Sequence, residues 1–164
     1  MSHHQSILSK LFTSTQTLQQ QVKAWQNAGD KVVFTNGCFD LLHRGHVDYL
    51  AKAADCGQRL IIGVNTDASV SKLKGPNRPI QDEQSRLQIL ASLQCVDAVI
   101  LFDKETPYEL ISLLQPDVLV KGSDYTPENI VGYDVVTAKG GEVKTIDFIP
   151  GFSTSGIEGK IKNS

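Results

Sequence analysis

Apolar positions along this chain alternate between two rhythms. From Thr15 to Ala28, Leu18, Val22 and Trp25 recur at spacings of four and three, as on one helix face, and Gly29 follows as a stop. The pattern then shortens to a continuous apolar run, "KVVFTN" (31–36), which reads as a buried strand. "HVDYLAKAADCG" (46–57) returns to helical spacing and closes on Gly57, and "RLIIGV" (59–64) is a second strand. After the polar, Gly/Pro-containing loop "KLKGPNRPI" (72–80), "DEQSRLQILASLQ" (82–94) sets Leu87, Leu90 and Leu93 on one helical stripe. "DAVILF" (97–102) is the third strand. Thr106-Pro107 predicts a helix opening with Pro at its first position, its buried face made by Leu110, Leu113 and Leu114. "DVLV" (117–120) and "EVKTIDF" (142–148) give the fourth and fifth strands, and "GKIKNS" (159–164) reads as a helix end and frayed terminus.

Strands alternating with helices of this length imply parallel βαβ units. The expected fold is therefore a three-layer α/β/α, Rossmann-like domain with a parallel five-stranded sheet over 31–164, preceded by a helical lead-in over 1–30. No repeat or linker divides the chain. Open sheets of this class bind ligands beyond the carboxyl ends of their strands. "TNGCFDLLHRGH" (35–46), "NTDAS" (65–69), "KGSDY" (121–125) and "GFSTSG" (151–156) all fall on that edge.

Composition narrows the chemistry. The 164 residues suit one domain, 40% hydrophobic and 21% charged residues are ordinary for a globular chain, and no apolar run reaches the length of a membrane span. A net charge of -2 gives no broad footprint for nucleic acid or an anionic membrane, so any anion must be held locally. The opening "MSHHQSILSKLF" lacks the pattern of a secretory signal, and His3 and His4 read as a solvated tail. Cys38, Cys56 and Cys95 are odd in number and unpaired in pattern, which predicts a reducing, cytoplasmic setting.

The turn after the first long strand carries the most information. Gly37 permits a close backbone turn, and a turn entering a helix presents unpaired N–H groups to an anion. Neither G-x-G-x-x-G nor G-x-x-x-x-G-K-[ST] is present. His43 and His46 stand one helical turn apart with Gly45 between them, so both imidazoles can donate hydrogen bonds to charge developing on phosphate. The competing readings are a helix cap with a packing histidine, and a zinc site completed by Asp40, which lacks a fourth ligand. Cys38 reads as a small filler rather than a nucleophile, since no triad pattern accompanies it. Asp40 either fixes the turn or orients a cation or substrate.

Elsewhere on the edge, Lys74 in the Gly/Pro loop can close over phosphate or be a solvated lysine. Arg86 can reach phosphate or pair with Asp82 or Glu83 at helical spacing. Lys121, Gly122 and Asp124 end a strand, while Ser153, Thr154 and Ser155 begin the last helix, as phosphate contacts or simple caps. Asn36, Asn65 and Ser123 are strand-end polar groups able to bind sugar hydroxyls or to shape turns.

"GCFDLLHRGH" (37–46) resembles the G-x-F-D-x-x-H-x-G-H signature of nucleotidyltransferases that share ancestry with class I aminoacyl-tRNA synthetases, glycerol-3-phosphate cytidylyltransferase among them. With "GVNTDASVSKLKGPNRPI", "CVDAVILFDKETPYELI", "PDVLVKGSDYTPENIVG" and "GGEVKTIDFIPGFSTSGI", the chain from Lys31 to Ile157 resembles the adenylyltransferase family of bacterial ADP-heptose synthesis. That resemblance implies transfer of an adenylyl group from ATP, carried with Mg²⁺, to a sugar 1-phosphate such as D-glycero-D-manno-heptose 1-phosphate, for lipopolysaccharide. It implies catalytic roles for His43, His46 and Lys74. Nucleotide contacts are implied at Cys38, Phe39, Gly45, Arg86, Lys121, Gly122, Asp124 and Ser153 to Ser155, and substrate contacts at Asn36, Asp40, Asn65, Lys74 and Ser123. No protein metal site is implied, and relatives suggest a homodimer. Two departures matter: a short helix stands where the bifunctional form has a sugar kinase, so a separate kinase is expected, and "KGSDY" replaces "KGGDY". The alternatives are a CTP-dependent enzyme acting on a polyol phosphate such as glycerol 3-phosphate, and a nucleotide-sensing module without turnover.

Overall fold

The computed structural model describes residues Met1–Ser164. Two lead-in helices, α1 (His3–Leu8) and α2 (Thr15–Asn27), flank a short strand, β1 (Leu11–Phe12). The alternating body follows: β2 (Val32–Gly37), α3 (Arg44–Ala54), β3 (Arg59–Asn65), α4 (Asp67–Lys74), α5 (Glu83–Ala91), β4 (Ala98–Phe102), α6 (Tyr108–Leu114) and β5 (Val118–Gly122). A 3₁₀ turn (Pro127–Asn129), α7 (Tyr133–Ala138), β6 (Glu142–Ile146) and α8 (Thr154–Lys162) complete the chain.

The sheet is wholly parallel and six-stranded, in the order β1-β4-β3-β2-β5-β6, rather than five-stranded. The additional strand lies inside the lead-in, where Leu11 and Phe12 pair with Val99 and Ile100. Two residues are too few to show a period, which is why sequence pattern passes over it. His3 and His4, read as a tail, belong to α1, whose N-cap Ser2 and Gln5 form a reciprocal capping box. Lys74, assigned to a loop, is the last residue of α4. Helix α6 begins one residue later than expected, with Pro107 as its N-cap and no side-chain cap.

Alternation along the strands divides the core into two. Val33, Leu60, Ile62, Val64, Val99, Val118 and Val120 pack beneath α3 and α5. Their neighbours Val32, Phe34, Ile61, Ala98, Ile100 and Leu119 pack on the opposite face beneath α2, α6 and α7. This is the three-layer arrangement, with side chains of period two feeding opposite faces. No helix is long and apolar enough to cross a membrane.

Chain order runs outward from β2 through β3 to β4, then returns to β5 on the other side of β2. The crevice between the carboxyl ends of β2 and β5 is thus the topological switch point. These two strands pair only through Val33↔Val118 and Phe34↔Leu119, while β2 continues to Gly37. Beyond that pairing Tyr49, from α3, bridges them: its hydroxyl meets the Thr35 hydroxyl at 2.9 Å and donates to the Val120 carbonyl at 3.2 Å.

Candidate active site

A cavity of about 450 Å³ opens at this switch point. Its wall on the β2 side is the turn Asn36–Asp40 with His46, and its wall on the β5 side is Lys121, Gly122 and Asp124. Asn65, Lys74 and Thr154 also line it. Of the residues singled out in the sequence, His43, Gly45, Arg86, Ser123, Ser153 and Ser155 lie outside the lining.

The turn is shaped by close packing. Phe39 sits at φ 50°, a left-handed conformation that few side chains adopt, and its ring lies against Gly37, where a Cβ would come within 2.9 Å. His43 is the N-cap of α3, its Nδ1 accepting from the Gly45 amide at 3.1 Å, while His46 Nδ1 accepts from the His43 amide at 3.4 Å. The rings stack with centroids 3.8 Å apart. Gly45 makes this possible, because a Cβ there would press on the His43 ring at 3.0 Å and on Phe152 at 3.2 Å. Capping and pairing of the histidines are therefore the same geometry.

Burial pushes His43 below the ordinary imidazole range. Burial, then the neighbouring His43, lowers His46 to about 4 against an opposing hydrogen bond to the Leu41 backbone. Both rings are neutral at pH 7. His43 Nδ1 accepts the Gly45 amide, so that ring carries its proton on Nε2, a donor, while the one N–H of the neutral His46 is directed at the Leu41 carbonyl. Arg44 faces the Phe152 ring at 5.5 Å on the outer side of the same helix start.

Asp40 and Arg86 are structural ties. Burial raises the Asp40 carboxyl, but the amides of Gln81 and Ile80 and the Arg78 guanidinium hold it below the usual carboxylate range. Its oxygens accept from Arg78 Nε at 2.7 Å, the Ile80 amide at 2.8 Å and the Gln81 amide at 2.9 Å. It fixes the 78–81 loop to the turn, which leaves the substrate role assigned to it without a free oxygen. Arg86 is a correction. Its side chain is fully buried and donates to the carbonyls of Cys38 and Asn65, each at 2.8 Å, to Gln81 at 3.0 Å, and to Asp67 at 2.8 Å. It braces the strand ends from below instead of reaching the cavity. Nor does it pair with Asp82, which caps α5 through Ser85, or with Glu83, which accepts from the Asp67 amide.

The remaining expectations divide. Cys38 Sγ donates to Asn65 Oδ1 at 3.7 Å, and burial raises its thiol despite nearby Lys74 and Arg86, as suits a filler. Asn65 spends its amide on Ser69, at 2.9 Å. Burial lowers Lys121, opposed by Asp124, and its ammonium lies 5.4 Å from the Tyr125 ring centre. Thr154 donates to the Leu41 carbonyl, joining α8 to the histidine turn. Ser153 caps α8 through the Gly156 amide, Ser155 is exposed, and Ser123 meets Ile146 through its backbone. These three, placed at the site by sequence, do not line it.

Sequence reasoning missed Arg78, Tyr49 and Phe148, which all line the cavity. Tyr49 stands three residues beyond His46, so helical spacing alone signals its position. Phe148 stacks on Tyr49 and covers Gly122, where a Cβ would collide with its ring. No local pattern signals Phe148 or Arg78. No cluster of three or more His, Cys, Asp or Glu side chains is arranged to hold a metal ion.

Comparison with known proteins places this geometry among relatives. A family model described as Cytidylyltransferase-like matches residues 34–157. Bifunctional protein HldE of Azorhizobium caulinodans is 56% identical over 141 residues, covering 86% of this chain and 29% of that protein. Its namesake from Wolinella succinogenes is 50% identical over 163 residues, covering 99% of this chain and 34% of that protein. The chain thus spans about a third of the length of these curated relatives. Among solved structures, the lipopolysaccharide core biosynthesis protein from Thermoplasma volcanium is similar at a TM-score of 0.59 and 29% identity, over 74% of this chain and 98% of its own. Pantoate-beta-alanine ligase from Francisella tularensis shares the fold at a TM-score of 0.59 and 14% identity, over 93% of this chain and 76% of its own.

Proposed function

The chain belongs to the cytidylyltransferase-like family, and from that premise we propose that it transfers an adenylyl group from ATP to a sugar 1-phosphate, with D-glycero-D-manno-heptose 1-phosphate as acceptor. An acceptor phosphate oxygen attacks the α-phosphorus of ATP in line, the bond to the β-phosphate oxygen breaks, and ADP-sugar and pyrophosphate result. The observation that carries this reading is the stacked, neutral His43–His46 pair at the start of α3, beside a cavity at the switch point. The nucleophile is already an anion, so the protein has chiefly to position it and offset charge.

In this reading the imidazole N–H groups of His43 and His46 donate to triphosphate oxygens, and the positive end of the α3 dipole offsets the same charge. Lys74 and Lys121, both lining the cavity, supply positive charge, with Thr154 also in the lining. Magnesium enters as the counter-ion of ATP and is part of the substrate. The identity of the sugar rests on the resemblance of five ordered segments, and a solved relative named for lipopolysaccharide core biosynthesis supports it. A sugar kinase must supply the acceptor.

The test is a pyrophosphate-release screen crossing ATP, CTP, GTP and UTP with sugar and polyol phosphates. ATP with heptose 1-phosphate is expected to be the best pair, ahead of CTP with glycerol 3-phosphate by up to ~10⁴-fold, because a site built for sugar hydroxyls leaves its polar groups unpaired around a smaller acceptor. Faster turnover of CTP with a polyol phosphate refutes the substrate and keeps nucleotidyl transfer. Binding without turnover for every pair identifies a sensing module instead.

Cys38→Ser is expected to retain kcat within about fivefold, since direct transfer requires no covalent enzyme intermediate. A folded but inactive variant, with a nucleotidyl adduct trapped on the wild-type thiol, would replace direct transfer with a two-step route.

A further inference from the structure

Arg78 lines the cavity, yet neither the fold nor the histidine chemistry accounts for how it is held. Its side chain is only 12% exposed. Nε donates to Asp40 at 2.7 Å and Nη1 approaches Glu158 of α8 at 3.4 Å, while Nη2 makes no hydrogen bond within the protein. The two carboxylates are held differently. Asp40 is 1% exposed and also accepts from two loop amides, so its bond to Nε is fixed. Glu158 is 28% exposed, and its other oxygen is already paired with Lys162 at 2.9 Å, one helical turn on.

We propose that Arg78 is a phosphate-binding residue of this site and that Glu158 is a placeholder carboxylate, which the substrate's phosphate displaces from the guanidinium. Asp40 is the positioning residue that keeps the fork aimed during the exchange. The exchange replaces one anion by another, so it leaves no uncompensated charge: Glu158 keeps Lys162, and the edge formed by Nη1 and Nη2 suits two phosphate oxygens at once. The contact that is given up is the longer and wetter of the two, the kind that contributes little to stability. The chemistry recognised is a phosphate monoester or the terminal phosphates of a nucleotide. Because α8 also carries Thr154, bonded to Leu41 beside the histidines, release of Glu158 is felt at the helix that borders the cradle.

The inference rests on the proposed nucleotidyl transfer, and the experiment separates the two. Binding of magnesium ATP and of heptose 1-phosphate to the full chain is measured by calorimetry, and the KM for each by pyrophosphate release. Arg78→Lys keeps a cation beside Asp40 but loses the fork, and is expected to weaken one of the two ligands by about tenfold. Glu158→Gln leaves the Asp40–Arg78 pair intact and is expected to tighten that same ligand by about two- to threefold. The ligand that moves identifies the phosphate. Affinities of Glu158→Gln equal to wild type for both ligands, or lower, overturn the placeholder role whatever Arg78→Lys does, because a purely structural network predicts weakening or no change in both variants. If the wild-type chain releases no pyrophosphate with any pair, the proposed function fails, whereas opposite calorimetric shifts in the two variants still establish the exchange.

Discussion

Replacing His46 with alanine is expected to lower kcat by about 10²-fold or more while leaving ATP affinity within several-fold, and His43→Ala is expected to do the same. The asymmetry follows from the site. The positive end of α3 and the lining lysines Lys74 and Lys121 remain to bind the ground-state triphosphate, whereas the imidazole N–H groups are donors whose bonds strengthen as charge builds on the departing pyrophosphate. Each variant also disturbs the reciprocal cap, since His43 Nδ1 serves the Gly45 amide and His46 Nδ1 serves the His43 amide. A cap is worth about 1 kcal/mol, too little to unfold the domain. Near-normal kcat in a folded variant would reduce the pair to a helix-capping device.

Acid titration adds a second readout. With its folded value lowered to about 4, His46 binds its proton more weakly in the native chain than in the unfolded one. Its contribution to stability is therefore complete above the ordinary imidazole range and is lost as pH falls through about 4. Urea midpoints should drop over that interval in the wild type, and more shallowly in His46→Ala.

Arg86→Met is expected to produce the largest loss of stability, about 3 kcal/mol or more, with little change in the KM for ATP among molecules that remain folded. Methionine fills much of the same volume but donates nothing, so the carbonyls of Cys38, Asn65 and Gln81 lose their shared partner. Leaving buried acceptors unmatched costs about 1–3 kcal/mol for each group. For a chain of this size such a change lowers Tm by roughly 10 °C. A variant as stable as wild type that has lost ATP affinity would restore Arg86 to the phosphate site.

Arg86 also marks a boundary of what the sequence could reveal. One cation in an apolar helical stripe has the same local signature whether it reaches a ligand or braces a core. Its partners lie at residues 38, 65, 67 and 81, and only the fold brings them together. The main strands were legible because each is a short apolar run between helix signals, and the His43–Gly45–His46 turn because its parts are contiguous. Strand β1 was too short to show a period, and α4 buries only Ser69 and Val70, too little apolar surface to mark a helix. Arg78 and Phe148 enter the cavity from segments distant in sequence, so no spacing rule finds them.

The Tyr49 bridge has a mechanical consequence. His46 and Tyr49 share one face of α3, and the same phenol fastens that helix to both strands flanking the switch point. Burial keeps it protonated, with its pKa pushed up to about 12, so the fastening holds throughout the physiological range. The histidines therefore ride on a stationary helix, and the 78–81 loop is tied to their turn through Asp40, so the exchange at Glu158 assigns the travel that admits substrate to α8, joined to that turn through Thr154 and Arg78.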